Sequence, residues 1–447
     1  MTTDITQIRT PAEKALISLY ANEKDRLPGS EPVKALRSEA FAEFERTGLP
    51  HRRIESWHYT DLRSQLREAA PLFSAGSSEF EDSLRHVQPK IPEGYALVLL
   101  DGVFVPELSQ LDELPPGIRV RSLADVLATG DANLVERLAP KGLGTGDPAL
   151  SLNAALMQGG VVVDVAPGSE IAKPLIILSV MSAGAVHAAY HRSLVRVGAG
   201  AKLTLFEIVD AVEIGSNQQN GALVLELGDG AELEHLTRIS RQGADAVIIN
   251  SVLASLGAKC QYDGFALIAD GGLVRRQIFL RFDGEHSTAG IRGLSLLSGK
   301  RHADTTLVVD HAVPHCTSRE YFKHIVADEA TGVYQGKVIV RPHAQKTDGA
   351  MKSRALLLSD SAAMFNKPEL EIFADDVVCG HGATVAQLDE DQLFYLRSRG
   401  LPRAEAEQLL LEAFAGEAVE SVRNEGARER LMDHVSNWLA ARKMMGP

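Results

Sequence analysis

The chain has 447 residues, of which 45% are hydrophobic and 23% are charged. This is the composition of an ordinary globular protein, large enough for one big core with appendages or for two to three domains. The formal net charge of −13 argues against nucleic acid or an anionic membrane surface as a partner, because each phosphate contact needs a compensating cation.

The cysteines indicate a reducing compartment. Cys260, Cys316 and Cys379 are odd in number and scattered along the chain, which does not suit a disulfide framework. Residues Met1–Thr6 form neither the basic nor the apolar region of a signal peptide, and no stretch approaches roughly eighteen uncharged apolar residues. We therefore expect a soluble, cytoplasmic protein.

Residues 1–90 are predicted to form an N-terminal helical domain. Apolar residues recur at helical spacing over Pro11–Tyr20 and again over Pro32–Phe44. Each segment begins with a proline, which suits the first turn of a helix.

A box of polar and aromatic residues, Glu55–Leu62, follows these helices. Its Trp57 and Tyr59 have two interpretations. They could form a platform for a ligand, but aromatic side chains with one polar end more often lie half-buried at a contact between two parts of a protein. We therefore predict that these two side chains pack between the N-terminal domain and the core and hold them together.

Residues 91–386 are predicted to form a β core. Ala96–Leu100, then Asp101-Gly102, then Val103–Val105 are typical of a hairpin with a primed turn. Residues 113–150 contain Pro115-Pro116 and several glycines, and we expect a short helical insert there.

The stretch from about Gly160 to Val385 consists of strand after strand and is weakly repetitive. Four segments share a turn glycine, two small or charged residues and the first inward residue of a strand, about 27 to 32 residues apart: Gly168–Ile171, Gly200–Leu203, Gly230–Leu233 and Gly257–Cys260. Such a period indicates a solenoid. Each unit is too short for a strand–helix–strand crossover, so we predict a parallel β-helix with an interior of Val, Ile, Leu and Ala.

Residues 387–447 are predicted to form a C-terminal helical domain of three helices. The first ends at Gly400, the second follows Pro402, and the third runs from about Ala427 to Met444. Their apolar stripes could cap the β-helix, whose long exposed edges otherwise invite pairing with another chain.

The segment Cys379-Gly380-His381 carries the main chemistry. Residues two apart in a strand project to one face, so the thiol and the imidazole lie together. Both are ligands for soft or borderline metals. They supply only two ligands, so a metal here must be shared with another chain or with water. The alternative is a small core residue beside a hydrogen-bonded turn histidine.

The sequence segments around this pair resemble those of the SufB/SufD family of iron–sulfur cluster assembly proteins of the SUF system. The resemblance rests on the following segments: Glu55–Leu62, Gly336–Val340, Ala344–Asp348, Leu356–Ser359, Lys367–Ile372, Asp375–Cys379, His381–Asp389 and Gln392–Gly400. It covers both ends of the chain and most of its middle. Within the family, SufB tends to have glutamate where this chain has Gly382, which favours the SufD branch. Gly380 and Met351 depart from the family's usual serine and glutamine.

The resemblance implies a right-handed parallel β-helix between two helical domains, and a role without enzymatic activity of its own. A SufD-like subunit pairs with SufB and docks SufC, the ATPase of the system, to form the scaffold on which clusters are built. It is expected to hold no tight cofactor alone, only transient iron or a nascent cluster shared with SufB. His381 and Cys379 are the expected metal ligands, and a homodimer is an alternative for the isolated chain.

The C-terminal helices are expected to bind SufC. The apolar residues predicted to contribute are Leu393, Tyr395, Leu396, Leu410 and Phe414. The alternative is that these side chains only cap the β-helix.

Two further groups of residues were weighed as sites. His302, His311, His315 and Cys316 lie within fifteen residues, but His315 and Cys316 are adjacent and would face opposite sides of a strand. Glu371 and Asp375 could serve a polysaccharide hydrolase or lyase built on a β-helix. We favour a solvated acidic strand end, because aromatic residues, which line sugar grooves, make up only 5% of the chain. A purely structural partner of SufB is the remaining alternative.

Overall fold

The computed structural model describes residues 9–73, 82, 84, 85 and 93–445. The first eight residues and the predicted domain boundary near residue 90 lie outside these ranges. In the described part, no helix is long and apolar enough to cross a membrane.

The chain begins with helices α1 (Pro11–Glu23) and α2 (Glu31–Thr47), as predicted. Thr10 and Glu13 start α1 with a capping box: the Thr10 side chain accepts from the Glu13 amide at 3.2 Å, and the Glu13 carboxylate accepts from the Thr10 amide at 2.7 Å. A 3₁₀ turn (Glu55–Trp57) and the short α3 (Leu62–Gln65) complete this region.

The predicted hairpin is confirmed. Strands β1 (Tyr95–Leu100) and β2 (Val103–Phe104) pair antiparallel. The two turn residues, Asp101 and Gly102, have φ angles of 51° and 81°, as a primed turn requires. A 3₁₀ turn, Pro106–Leu108, follows.

The predicted insert contains three helices but also a strand that we did not predict. The helices are α4 (Leu123–Thr129), α5 (Ala132–Leu138) and α6 (Pro148–Leu156). Strand β3 (Ile118–Ser122) precedes them and pairs antiparallel with β4 (Val161–Val165). Its alternation of Ile, Arg, Val and Arg is a strand pattern, which the neighbouring prolines and glycines obscured.

The core is a parallel β-solenoid of about eight turns, as the repeats predicted. Each coil gives one strand to each of two sheets, and strands of successive coils pair in parallel. Besides β3 and β4, one sheet contains β6 (Ala188–Val197), β8 (Gln218–Leu227), β10 (Val247–Leu256), β12 (Leu273–Phe282), β14 (His302–His311), β16 (Thr331–Val340) and β18 (Ala363–Ile372). Besides β1 and β2, the other contains β5 (Leu175–Met181), β7 (Lys202–Ala211), β9 (Glu232–Ile239), β11 (Gln261–Ile268), β13 (Thr288–Leu297), β15 (Thr317–Val326), β17 (Asp348–Leu357) and β19 (Val378–Ala386).

One turn of each coil places a residue in the left-handed region. Gly168, Gly200 and Gly230 occupy this position with φ of 69°, 68° and 71°. In the next coil the residue is Lys259, at 56°, so our alignment of Gly257 with these glycines was wrong by two residues. Lys259 is exposed, and its backbone N–H donates to the Glu285 carbonyl oxygen of the following coil at 2.8 Å, which stabilises this turn.

Helices cover the outer faces of both sheets. The N-terminal helices and α6 pack on the nine-stranded sheet, where Leu16 and Leu152 share a cluster with Ile249. The C-terminal helices α7 (Glu390–Ser398), α8 (Arg403–Val419) and α9 (Glu425–Met445) follow β19. The last two pack on the ten-stranded sheet, where Val435 shares a cluster with Phe265.

None of the described helices covers the solenoid end formed by β18, β19 and the turn 373–377, and we call it the open end. Most residues of β19 are exposed, whereas β15 and β16, farther from this end, are mostly buried. The alternative that the C-terminal helices cap the end of the β-helix therefore needs correction. They cover its side, because their apolar residues match the outer face of the ten-stranded sheet.

Candidate functional site

Strand β19 directs Cys379 and His381 toward the inside of the last coil. In the parallel register with β17, Cys379 pairs with Gly349 and His381 pairs with Met351. Met351 is 3% exposed and belongs to the inner core, so the residues aligned with it face inward too. The two donors therefore share the inner face, as the spacing predicted.

The two side chains differ in their surroundings. His381 is exposed, and in the described part of the chain its imidazole has no hydrogen-bond or ion-pair partner. Cys379 is half-buried, and burial raises the pKa of its thiol, with the charges of Asp348 and Glu320 adding to the effect. The thiol is thus mainly protonated at neutral pH, and a bound metal would have to displace the proton.

Cys379 and His381 are not joined by a third ligand of the His, Cys, Asp or Glu class within residues 9–73 and 93–445. Among these residues, no three His, Cys, Asp or Glu side chains converge closely enough to hold an ion. Cys379 and His381 can each donate one soft or borderline ligand, so at least two ligands must come from elsewhere for a tetrahedral centre. Their role as metal ligands stays a prediction.

The other two cysteines are structural. Cys260 and Cys316 are 1% and 0% exposed and follow the left-handed turn residue of their coils. Their thiols lie 3.1 Å from the Gly228 carbonyl oxygen and 3.4 Å from that of Gly284. Burial raises the pKa of both thiols, so neither is a ready metal ligand.

The histidines near Cys316 do not form a site with it. The imidazole of His302 bonds the Thr60 hydroxyl at 2.9 Å, and that of His311 is buried beside the Ser318 hydroxyl at 3.0 Å. His315 is exposed and stacks on the ring of His286, with centroids 4.8 Å apart. Adjacent residues of a strand or turn point to different sides, which separates these groups.

The acidic residues of the hydrolase alternative are not a catalytic pair here. Glu371 lies on the outer face of β18, and its carboxylate is 2.5 Å from the Lys337 ammonium. Asp375 is exposed in the turn that follows. Glu371 is thus engaged in an ion pair on the outer face of the sheet, and no contact joins it to Asp375 among the described residues.

The open end exposes a group of apolar side chains that sequence reasoning missed. Large apolar residues are 42% to 71% exposed there: Phe365, Ile372, Phe373, Val378 and Val385. In the part of the chain that the structure describes, β18 pairs with β16 and β19 pairs with β17, and the other edge of each strand has no partner strand. Exposed apolar residues beside free strand edges are typical of a surface that another chain covers.

The residues predicted to bind SufC lie in two environments. Leu393 and Phe414 are 1% and 8% exposed, so they face the body of this chain. Leu396 and Leu410 are half-buried, and Tyr395 is 57% exposed. Two residues that we did not predict, Phe394 and Leu409, are exposed on the same helices.

The box Glu55–Leu62 does hold the N-terminal region on the solenoid. Trp57 is 0% exposed; its indole N–H donates to Asp147 at 2.9 Å, and the Arg275 guanidinium lies 4.2 Å from its ring. The prediction of an aromatic contact is confirmed, although Trp57 is buried more deeply than expected.

Comparison with known sequence families gives two matches. Residues 10–177 match the SufBD protein N-terminal region, and residues 179–414 match the family described as SUF system FeS cluster assembly, SufBD core domain. Together the two matches span nearly all of the described chain.

Curated relatives agree with these families. The chain is 30% identical over 398 residues to the iron–sulfur cluster assembly protein SufD of Escherichia coli, covering 88% of this chain and 90% of that protein. It is 32% identical over 402 residues to an iron–sulfur cluster assembly SufBD family protein of Synechocystis, covering 87% of each chain. The chain is 24% identical over 429 residues to SufD of Bacillus subtilis, covering 90% of this chain and 92% of that protein.

Proposed function

Because the chain belongs to the SufBD family of the SUF system, whose general function is iron–sulfur cluster assembly, we propose that it is a SufD-like scaffold subunit. In this proposal it pairs with SufB and docks the ATPase SufC, and it supports iron acquisition and new cluster formation at the SufB–SufD interface. It has no enzymatic activity of its own. The observation that carries the proposal is the position of Cys379 and His381 on the inner face of the open end.

The open end is the surface that pairs with SufB. The free edges of β18 and β19 can each accept a partner strand, so both sheets would continue into the second subunit. The exposed apolar side chains at this end would be buried by the same contact. In the isolated chain, a second copy can cover these edges instead, which gives a homodimer.

Cys379 and His381 would hold iron or the nascent cluster as cargo, and the partner would complete the ligand set. An interface that brings two donors from each side forms a four-ligand centre without any complete site in one chain. His381 is the stronger candidate, since its imidazole is exposed and without a partner in the described residues. Cys379 is half-buried and must lose its proton to bind.

The exposed side of the C-terminal helices would dock SufC. Tyr395, Leu396 and Leu410 remain the predicted contacts, now joined by Phe394 and Leu409. ATP hydrolysis by SufC would shift the two scaffold subunits relative to each other and expose the ligands at their interface.

The test is co-expression with SufB and SufC, anaerobic purification, and assay of iron and sulfide in complexes of wild type and His381→Ala. We expect the variant complex to keep its subunits and to lose most of its iron and sulfide. A matched control is His343→Ala, which removes an exposed histidine of the turn between β16 and β17.

The outcomes separate the alternatives. If His381→Ala and Cys379→Ser both keep subunits and cluster, the chain is a purely structural partner of SufB. If no complex forms with wild type, or if the isolated chain binds a full cluster, the shared site is wrong. A sugar-cleavage screen of the isolated protein would expose a hydrolase or lyase.

A further inference from the structure

The inner face of the nine-stranded sheet carries a continuous column of polar residues. The parallel register aligns one residue from each of seven successive strands, β6 to β18: His191, Gly221, Asn250, Arg276, Thr305, Tyr334 and Asn366. Six of the seven bear a polar group, in an interior that is otherwise mainly Val, Ile, Leu and Ala. Because buried polar groups cost free energy unless they find partners, the partners along this column are informative.

In the middle of the solenoid the column has partners from the opposite sheet. Glu207 accepts a hydrogen bond from the Asn250 amide at 2.7 Å and another from the Thr237 hydroxyl at 3.0 Å. Its carboxylate lies 3.8 Å from the Arg276 guanidinium, which also donates to Asn250. This carboxylate is paired with a cation and two donors, so the middle of the column has a structural role.

Near the open end the partners are missing. Glu320 is 2% exposed and Tyr334 is 0% exposed, yet among the described residues neither carboxylate oxygen nor the hydroxyl has a hydrogen-bond partner. The Tyr334 hydroxyl and the Met351 thioether meet beside Gly336, where a methyl group would overlap both. Ser318 lies two residues before Glu320 on the same face. We call Ser318, Glu320, Tyr334 and Met351 the inner cluster.

Two buried histidines lie beside the one acid of the inner cluster: the His311 imidazole is 3.0 Å from the Ser318 hydroxyl, and the ring centroid of His324 is 6.4 Å from that of Tyr334. Burial raises the pKa of Glu320 to about 7, and the Ser318 hydroxyl and, more weakly, the Arg319 guanidinium oppose this effect. That guanidinium faces outward and is 2.5 Å from the Asp348 carboxylate. Burial lowers the pKa of His311 to about 4 and that of His324 to about 3, so both are neutral above neutral pH, where Glu320 is a buried anion without a cation among the described residues of the inner cluster. Carboxylate and hydroxyl oxygens are ligands that hard divalent cations prefer.

We propose that the inner cluster binds a divalent cation of the oxygen-preferring class, such as Mn²⁺ or Fe²⁺, with Glu320 as its anionic ligand. The hydroxyl groups of Ser318 and Tyr334 and water complete the coordination shell. The site is separate from Cys379 and His381 and does not require them. With one carboxylate the affinity is modest, with a dissociation constant on the order of 10⁻⁴ M.

Gly349 provides the entrance from the open end. The thiol sulfur of Cys379, the hydroxyl oxygen of Ser318 and a methyl carbon of Val338 each lie 3.6 Å from the point that a Cβ at Gly349 would occupy. The missing side chain leaves a gap between the last coil and the inner cluster. Beside this gap, the buried side chain of Met351 (3% exposed) lies next to His381 on the inner face of the sheet and blocks access there.

The test is titration of the full chain with Mn²⁺, with free Mn²⁺ followed by its electron paramagnetic resonance signal at pH 8. Mn²⁺ is chosen because it favours oxygen over thiolate ligands. We expect wild type to bind one Mn²⁺ and Glu320→Gln to bind it at least tenfold more weakly. Glu371→Gln is the matched control: it makes the same change on the outer face of β18 and should bind like wild type.

A second variant separates the two metal sites. Cys379→Ser with His381→Ala should keep the Mn²⁺ site, since the inner cluster is intact. Equal binding by wild type and Glu320→Gln, or no binding by either, overturns the proposal. Loss of Mn²⁺ in the double variant with retention in Glu320→Gln also overturns it and places the ion at the open end, where it supports the proposed function instead.

Two further variants keep the test decisive if Glu320→Gln folds poorly. Tyr334→Phe removes only the hydroxyl and should weaken Mn²⁺ binding severalfold. Gly349→Ala should fill the entrance, because its methyl would sit in ordinary contact with its neighbours. We expect slower Mn²⁺ uptake with unchanged affinity. Wild-type affinity in Tyr334→Phe together with wild-type uptake in Gly349→Ala would contradict the proposed ligand and the proposed entrance.

Discussion

Tyr59, from the N-terminal box, stacks on Phe365 of β18, with ring centroids 5.1 Å apart and 23° between the ring planes. In the same contact the Lys367 ammonium pairs with the Glu55 carboxylate. The box therefore contacts the last strand of the nine-stranded sheet, more than 300 residues later in the chain, beside the open end.

Tyr59→Ala should loosen β18. Aromatic pairs contribute about 1 kcal/mol beyond the area they bury, and β18 has a neighbouring strand on one side only. We expect the amides of residues 363–367 to exchange with deuterium about fivefold faster, as mass spectrometry of peptides would measure. Tyr395→Ala, on the exposed face of α7, should leave this exchange unchanged. Equal protection of β18 in both variants would show that the stacking is incidental.

Trp57→Phe should lower the stability of the whole chain. It keeps an aromatic ring under Arg275 but removes the indole N–H that donates to Asp147. Asp147 is buried, burial raises its pKa, and it also caps α6. Leaving a buried acceptor without one partner costs about 1–3 kcal/mol. The decrease in melting temperature should exceed that of Trp438→Phe, the same change at a half-buried tryptophan of α9.

His324 should make the protein sensitive to mild acid. Burial lowers its pKa to about 3, and among the described residues neither ring nitrogen has a partner. The unfolded chain takes up the proton near pH 6.5 and the folded chain does not, so stability falls as pH drops below 6.5. The expected loss from this group between pH 7.5 and pH 5 is about 2 kcal/mol.

His324→Leu should remove that part of the pH dependence. Glu320 acts with the opposite sign, because its raised pKa makes stability fall as pH rises from 4.5 to about 7. The informative quantity is therefore the difference between variant and wild type in urea unfolding at each pH. A difference that stays constant from pH 7.5 to pH 5 would mean that His324 finds a partner for its proton in the folded chain.

Glu417→Ala should loosen α8 on the solenoid. The Lys323 side chain is 0% exposed; its ammonium donates to the Phe414 carbonyl at 2.5 Å and also pairs with the Glu417 carboxylate. Removing the carboxylate leaves a buried ammonium with less compensation, at a cost of about 1–2 kcal/mol. Amides of α8 should exchange faster than in Glu420→Ala, an exposed position at the end of the same helix. Unchanged exchange would assign the anchoring of α8 to its apolar residues alone.

Sequence reasoning predicted the elements whose signal is local. A period of two placed Cys379 and His381 on one face, and proline and glycine marked most helix ends. It could not predict that this face is the inner one of an uncovered coil, because that depends on which sheet the helices cover. The orientation of Leu393 and Phe414 was missed for the same reason.

The sequence alone also could not predict which residues of successive coils align. The column from His191 to Asn366 exists only because seven strands align in one register, and no local pattern reveals an alignment across about 30 residues. The sequence indicated the left-handed turn positions where they are glycine. It gave no sign of them at Lys259, His286, His315 and Lys346. At Lys259, His315 and Lys346 the backbone N–H donates to a carbonyl oxygen of the following coil, a contact that the sequence does not reveal.

The C-terminal helices contact several strands of one sheet at once. Residues of α8 and α9 share a cluster with side chains of β7, β9, β11, β13 and β15. A force on these helices is thus distributed over many strands and does not separate one strand from its neighbours. The solenoid would turn as a single lever, roughly 40 Å long for about eight coils at the usual strand spacing. A small rotation of the helices would then become a larger displacement at the far rim.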